Sequence, residues 1–302
     1  MVDPKEQLIM SDVTTQTQSI AIVDLRRQVR AVAAKTLARA LGKSALIGLS
    51  TFAIVLVIWL GVYYFGHVSP YIMKSPVDVW QNLFVDDDAA ANRAVLVENL
   101  LVTLRHAGIG FAVGLAIAII GAVLFRISRG IETALMPFAT LLRSVPLVAL
   151  APVIFVVFGL GTDTSVAVIG GIVVLFPALV TIAFGLRSAS QQMLDVVSVY
   201  GGSVFTAVRK VALPGALPSL FAAIRISVPG AITGALLSEM LSTGDGIGSA
   251  TATYAASARF GDVWACVVVV TAVSLLLYSV VQVFESIALT RMGMNTDKPG
   301  GS

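Results

Sequence analysis

Long stretches almost free of charge recur along this chain, and they restrict its fold more than any other feature. They fall at about 45–65, 96–125, 132–158, 164–186, 215–240 and 263–289. A helix needs about 20 mostly apolar residues to cross the roughly 30 Å hydrocarbon core of a bilayer. Each run meets that length, so the expectation is an all-α polytopic membrane protein with six transmembrane helices. Composition agrees: of 302 residues 57% are hydrophobic and 12% charged, against about 25% charged in soluble domains. Too little polar surface is available to cover a globule in water. The single cysteine, Cys266, excludes an intrachain disulfide, and His67 and His106 are too few for a histidine-rich metal site.

The first run begins near Ala45, behind a long polar leader, and reads as a retained signal-anchor span. The second and third runs are longer than a perpendicular crossing needs and must tilt, project or break. The third carries Pro137, Pro146 and Pro152. Pro146 removes a backbone donor and is expected to bend its helix, a break tolerated where the freed carbonyls face protein or a water-filled cavity.

Basic residues set the orientation. With the N-terminus in the cytoplasm, fourteen of the 20 Lys and Arg fall in cytoplasmic segments and three, Lys74, Arg93 and Arg259, in outer ones. The remaining Arg105, Arg143 and Arg225 lie within spans. Both termini are thus expected in the cytoplasm. The domains read as a leader over 1–44, a transmembrane domain over 45–289 and a cytoplasmic tail over 290–302. Within the leader, Asp24 to Leu41 alternates apolar and basic residues as an amphipathic helix suited to the inner leaflet. The same charges also serve to fix topology. No folded basic domain with interleaved aromatics is present, which argues against nucleic acid as a partner.

The sequence offers little for catalysis. "LGKSA" (Leu41–Ala45) ends like a phosphate loop, but Leu37 stands where that loop requires glycine. "STGDGIGS" (Ser242–Ser249) resembles half of an intramembrane aspartyl protease signature and lacks the second aspartate of a dyad. It reads instead as a glycine-rich external loop. No serine elbow accompanies His106. "FGLGTD" (Phe158–Asp163) reads as a helix–helix connection rather than a carbonyl-lined filter.

One charged stretch interrupts the apolar pattern on the cytoplasmic side, "LDVVSVYGGSVFTAVRKVALPGALP" (Leu194–Pro218). Its spacing is Asp195-Val196-Val197, three residues, Gly201, nine residues, then Val211-Ala212-Leu213-Pro214. This resembles the coupling signature of binding-protein-dependent ABC importer permeases of type I: Glu-Ala-Ala, three residues, Gly, nine residues, Ile-x-Leu-Pro. Asp195 stands for the glutamate, and Val196 and Val197 replace the alanine pair. The segments Lys74–Leu83, Leu141–Val166 and Leu213–Met240 are similar to sulfonate, taurine and nitrate importer permeases, and also to permeases for thiamine precursors and some aromatic acids. The resemblance spans about residues 70–290.

The resemblance implies that the loop at about 187–214 docks a short helix into a separate ATPase. Asp195, Val196, Val197, Gly201, Leu213 and Pro214 would be the coupling residues. The implied partners are two ABC ATPase subunits, a second permease chain in a homodimer, an external substrate-binding protein and the bilayer of a bacterial inner membrane. This chain would bind no cofactor and perform no catalysis; ATP and Mg would be bound by the ATPases. The implied solute is small and anionic, with a vitamin precursor or an aromatic acid as the alternative. A channel or scaffold that works without an ATPase is the competing class. Arg105, Arg143 and Arg225 lie roughly 14–16 Å into their spans. A buried charge there must face a cavity, a carboxylate or free carbonyls. Together with Pro146 and Glu239 they are the candidates for the translocation pathway, structural pairing being the alternative.

Overall fold

The computed structural model describes residues 48 and 50–293, and every element among them is helical. The amphipathic helix expected at 24–41 and the tail beyond 293 lie outside the described residues. The chain divides into two units, Met1–Val68 and Ser69–Ser302. In the first, α1 covers Ser50–Phe65 and is apolar, with most of its side chains exposed.

The second unit opens with α2 (Pro76–Phe84). Ser75 Oγ accepts from the Asp78 amide (3.2 Å) and Asp78 Oδ2 accepts from the Ser75 amide (2.7 Å). This reciprocal cap, with Pro76 at the first helical position, fixes where the helix starts. Arg93 donates to the Leu83 carbonyl and lies over the Phe84 ring, tying α2 to the next helix. That helix, α3 (Ala89–Ile127), has 39 residues, about 58 Å at 1.5 Å per residue. It extends beyond the expected 96–125 at both ends and projects past any bilayer core.

The third apolar run does not form one span. It is divided into α4 (Arg129–Ser144) and α5 (Leu147–Phe158), separated at Val145–Pro146. Pro146 offers no donor and its ring crowds the preceding turn, so the ladder stops there. Four helices are long and apolar enough to cross a membrane: α3, α6 (Asp163–Arg187), α10 (Leu217–Ser238, continued to Ser242) and α12 (Phe260–Arg291). α1 and α5 are shorter. The six full-length spans expected from sequence are therefore four, with two shorter apolar helices, among the described residues.

α3, α6 and α10 form the centre. A Cβ on Gly110 would lie 2.8 Å from Gly170 Cα, and one on Gly234 would lie 2.8 Å from the same atom. Three helix backbones thus converge at Gly170, an approach that only glycine permits. In a membrane, where lipid is as apolar as leucine, such close backbone contact is a principal source of helix association. Buried alanines 118, 122, 178, 183 and 223 continue the seam. The pairs Gly110–Gly170, Gly121–Leu179 and Arg126–Leu186 run in the same sense, so α3 and α6 are parallel. Gly234–Gly170 and Gly185–Ser219 run oppositely, so α10 is antiparallel to both. The fold consequently has two ends, one holding the loop after α6 and the other holding the segment after α10.

Between α6 and α10 lie α7 (Gln191–Val199), α8 (Val204–Ala207), a π turn (Val208–Ala212) and α9 (Leu213–Gly215). The Leu213 amide bonds back to the Val208 carbonyl, one residue further than in an α-helix. Pro214 cannot donate to the Lys210 carbonyl and crowds it, which accounts for the widened turn. At the opposite end, a second π turn (Glu239–Thr243) leads through Gly244 into α11 (Gly246–Ala256).

Candidate functional site

The α7 loop is built to present a surface. None of the nine α7 residues is buried. Leu194 and Val197 are half-buried, while Met193, Val196, Val199, Tyr200, Val204 and Phe205 are exposed. Val199 is 84% and Tyr200 87% exposed, an unusual cost for apolar side chains in water. Asp195, also exposed, accepts from Gln191 Nε2 at 3.0 Å, an i,i+4 pair along one helix face.

The two adjacent glycines terminate α7. The Gly202 amide bonds to the Val197 carbonyl (2.8 Å) and the Gly201 amide to the Ser198 carbonyl (2.9 Å). Together with the left-handed Gly201 (φ +73°) this is a Schellman cap. Gly202 packs so close that a Cβ would sit 2.4 Å from Val197 Cγ1. Leu213 and Pro214 stand at the root of the loop, both exposed, and line an apolar cavity with Ile119, Ile182 and Leu186. Of the six residues the spacing selected, four lie on α7 and its cap and two where the loop joins α10.

At the opposite end Glu239 is buried in a polar knot. Its Oε2 accepts from Thr103 Oγ1 (2.8 Å) and the Gly248 amide (2.9 Å), and its Oε1 accepts from His106 Nδ1 (2.9 Å). Thr103 Oγ1 accepts in turn from the Ile247 amide (2.9 Å), and Asn99 Oδ1 from the Gly246 amide (3.1 Å). The first three amides of α11, which have no partner within the helix, are thus capped from α3 and by Glu239. A carboxylate taking three donors at a helix N-terminus is well satisfied. "STGDGIGS" is therefore only partly the loop expected from sequence: from Gly246 onward it is the capped start of α11.

The knot was missed in sequence because its members are distant along the chain. A signal existed: Asn99, Thr103 and His106 recur at i, i+4 and i+7 in an otherwise apolar helix. That is one stripe, and it continues the buried face through Gly110 and Gly114.

The other sequence candidates are partnered separately. Arg105 meets Asp163 at the start of α6 (2.5 Å), both side chains exposed. Arg225 pairs with Glu285 of α12 (3.0 Å) and lies over the Tyr278 ring. Pro146 marks the α4–α5 break, and the side chain of Arg143 lies outside the described residues. Of the three arginines expected within spans, Arg105 and Arg225 thus each have an intrachain carboxylate. Among the described residues no group of three or more His, Cys, Asp or Glu could hold a metal ion.

A family model described as "binding-protein-dependent transport system inner membrane component" matches residues 102–289, which include the α7 loop and the central helices. The chain belongs to this family. The permease is 29% identical over 225 residues to a probable ABC transporter permease protein of Haemophilus influenzae, covering 74% of this chain and 89% of that one. It is 27% identical to a formylaminopyrimidine transport permease of Halalkalibacterium halodurans (65% and 76% covered). It is 26% identical to a putative aliphatic sulfonates transport permease of Bacillus subtilis (67% and 71%). The fold is similar to a solved bacterial ABC transporter that imports the acidic polysaccharide alginate, with TM-score 0.53 and 15% identity, over 81% of the permease and 98% of that chain. The permease is thus a multi-pass membrane component of an ABC importer of type I.

Proposed function

We propose that this permease carries a small solute across a bacterial inner membrane, driven by an ATPase that grips α7. The exposed apolar surface of α7 and its cap, at Val196, Val199, Tyr200 and Phe205, carries the reading. Such a contiguous patch marks an interaction surface, and a Schellman cap gives it a fixed shape. Asp195 is free to face a basic group on that partner once Gln191 yields. The end of the fold that holds α7 also holds Arg126, Arg129, Arg187, Arg209, Lys210 and Arg291, while the other end holds Lys74, Arg93 and Arg259. That asymmetry supports placing α7 and both termini in the cytoplasm. The working assembly is two copies of this chain, two ATPases that bind ATP and Mg, and one external binding protein. The chain itself does no covalent chemistry.

The solute is a small organic anion of the sulfonate class, a reading supported by the Bacillus subtilis relative. The Halalkalibacterium halodurans relative supports a second reading, a pyrimidine vitamin precursor. The paired states of Arg105 and Arg225 favour structural roles for both, which leaves solute choice to the binding protein.

Co-purification from native membrane tests the coupling. The wild-type chain is expected to bring an ABC ATPase with it. Val199→Asp/Tyr200→Asp, at exposed positions that leave the fold intact, is expected to lose it. An assembly that purifies intact and transports without any ATPase would overturn the reading in favour of a channel or scaffold. Binding of sulfonates and of aminopyrimidines to the partner binding protein then separates the two solute classes.

A further inference from the structure

A cleft of about 340 Å³ opens between the ends of α3 and α6, the start of α4 and α7, which contributes Gln191 and Leu194 to its lining. Arg126, Arg129 and Arg187 line it, with Glu132 as its one acid. Glu132 is taken by an ion pair with Arg187. Arg126 is oriented by donating Nε to the Leu186 carbonyl at 3.2 Å. Among the described residues no carboxylate lies within ion-pair distance of Arg126 or Arg129. Both arginines also line an adjoining cavity of about 360 Å³ under α7, where Asp195 is the acid. The first cleft therefore carries two excess positive charges.

Its position adds a second constraint. Arg126 and Arg187 occupy the last turns of two helices long and apolar enough to cross a membrane. The same last turns expose Leu124 and Ile127 on α3 and Phe184, 72% exposed, on α6. A phosphate would be bound by forked, planar guanidinium donors, and the adjoining apolar side chains suit a ligand that is also an acyl chain.

We propose that this cleft binds a phosphate-bearing anion, the headgroup of an anionic phospholipid such as phosphatidylglycerol, with Arg126 and Arg129 as its ligands. A basic pocket between spanning helices on the basic side of a membrane protein is suited to such headgroups. The lipid would fill the corner between α3, α4 and α7 and stiffen the base on which the loop stands.

The experiment uses the full chain in nanodiscs of phosphatidylcholine containing a minor fraction of phosphatidylglycerol. Lipids retained after release are counted by native mass spectrometry. Wild type and Arg291→Gln, a basic residue at the end of α12, are expected to retain phosphatidylglycerol selectively. Arg126→Gln/Arg129→Gln is expected to lower that retention about thirtyfold, which corresponds to ~2 kcal/mol for two surface arginines. Arg126→Lys/Arg129→Lys should restore part of it. Arg129→Gln alone, at an exposed position, should lower it about fivefold and guards against a double variant that fails to fold. Excess inorganic phosphate should leave the retained lipid in place. Equal retention in all variants would overturn the proposal, as would full displacement by inorganic phosphate, which would mark a soluble-anion site. Unchanged lipid retention with loss of the co-purifying ATPase would overturn it in favour of a protein contact.

Discussion

Glu239 and Thr103 together close the polar knot that pins α11 to α3 and α10. Each carries more than one bond, so removing either strands a buried donor. Thr103→Val keeps the shape of the side chain but leaves the Ile247 amide without an acceptor. Glu239→Met keeps the length of the side chain but removes both carboxylate oxygens, so the Gly248 amide is left without its acceptor and Thr103 and His106 lose their bonds to the acid. Each change is expected to cost about 1–3 kcal/mol. The measurement is thermal unfolding of the purified chain in detergent, with Ser242→Ala, half-buried and bonded only to its own helix, as the near-neutral comparison. At this scale the sequence was least legible. Glu239 was visible as an acid near the end of a span, but His106 and Thr103 are more than 130 positions away. The stripe on α3 joins Thr103 to His106, but nothing local to it names Glu239.

At the scale of elements, the apolar runs and the prolines were informative because their effects are local. Length and hydropathy placed α3, α6, α10 and α12, and the missing donor at Pro146 placed the break between α4 and α5. The resemblance carried by the spacing from Asp195 to Pro214 implied a short helix in this loop, where α7 lies. What the runs could not reveal was how the helices meet, since a glycine in an apolar span reads the same at a crossing as it does facing lipid. Gly170 and Gly108 show the difference. A Cβ on Gly170 would fall 3.0 Å from Gly110 Cα, whereas one on Gly108 would meet nothing within 4 Å. Gly170→Leu is accordingly expected to prevent folding to a monodisperse species, and Gly170→Ala to cost about 1–3 kcal/mol. Gly108→Ala should be neutral or stabilise by up to about 1 kcal/mol through helix propensity. Fluorescence-detected size exclusion across a temperature series reads all three.

For the whole molecule, the parallel run of α3 and α6 and the reversed run of α10 place the α7 loop and α11 at opposite ends. Cysteine labelling tests which side each faces. The native Cys266 is 1% exposed and should stay silent. In intact cells lacking the ATPase, Tyr200→Cys should resist a membrane-impermeant maleimide, and Ser257→Cys, beyond the end of α11, should react. Inverted vesicles should reverse the pattern. The same label on Tyr200→Cys should slow when the ATPase is present, because the residue is then covered. Reaction of both sites from one side would contradict the orientation.

The convergence at Gly170 has a mechanical meaning. From Gly170 to Arg187, where the chain leaves α6 for the loop, is 17 residues, roughly 25 Å of helix with Pro177 inside it. α10 returns from the same loop and meets the same point at Gly234. Loop and crossing thus form a lever with two rods and one fulcrum. A shift of about 5.4 Å at α7, one helical pitch, tilts the rods by about 12° about that fulcrum. On the proposed function, the far arms, which end at Asp163 and Glu239, would swing in the opposite sense, so that a pull at the α7 end is felt at the α11 end.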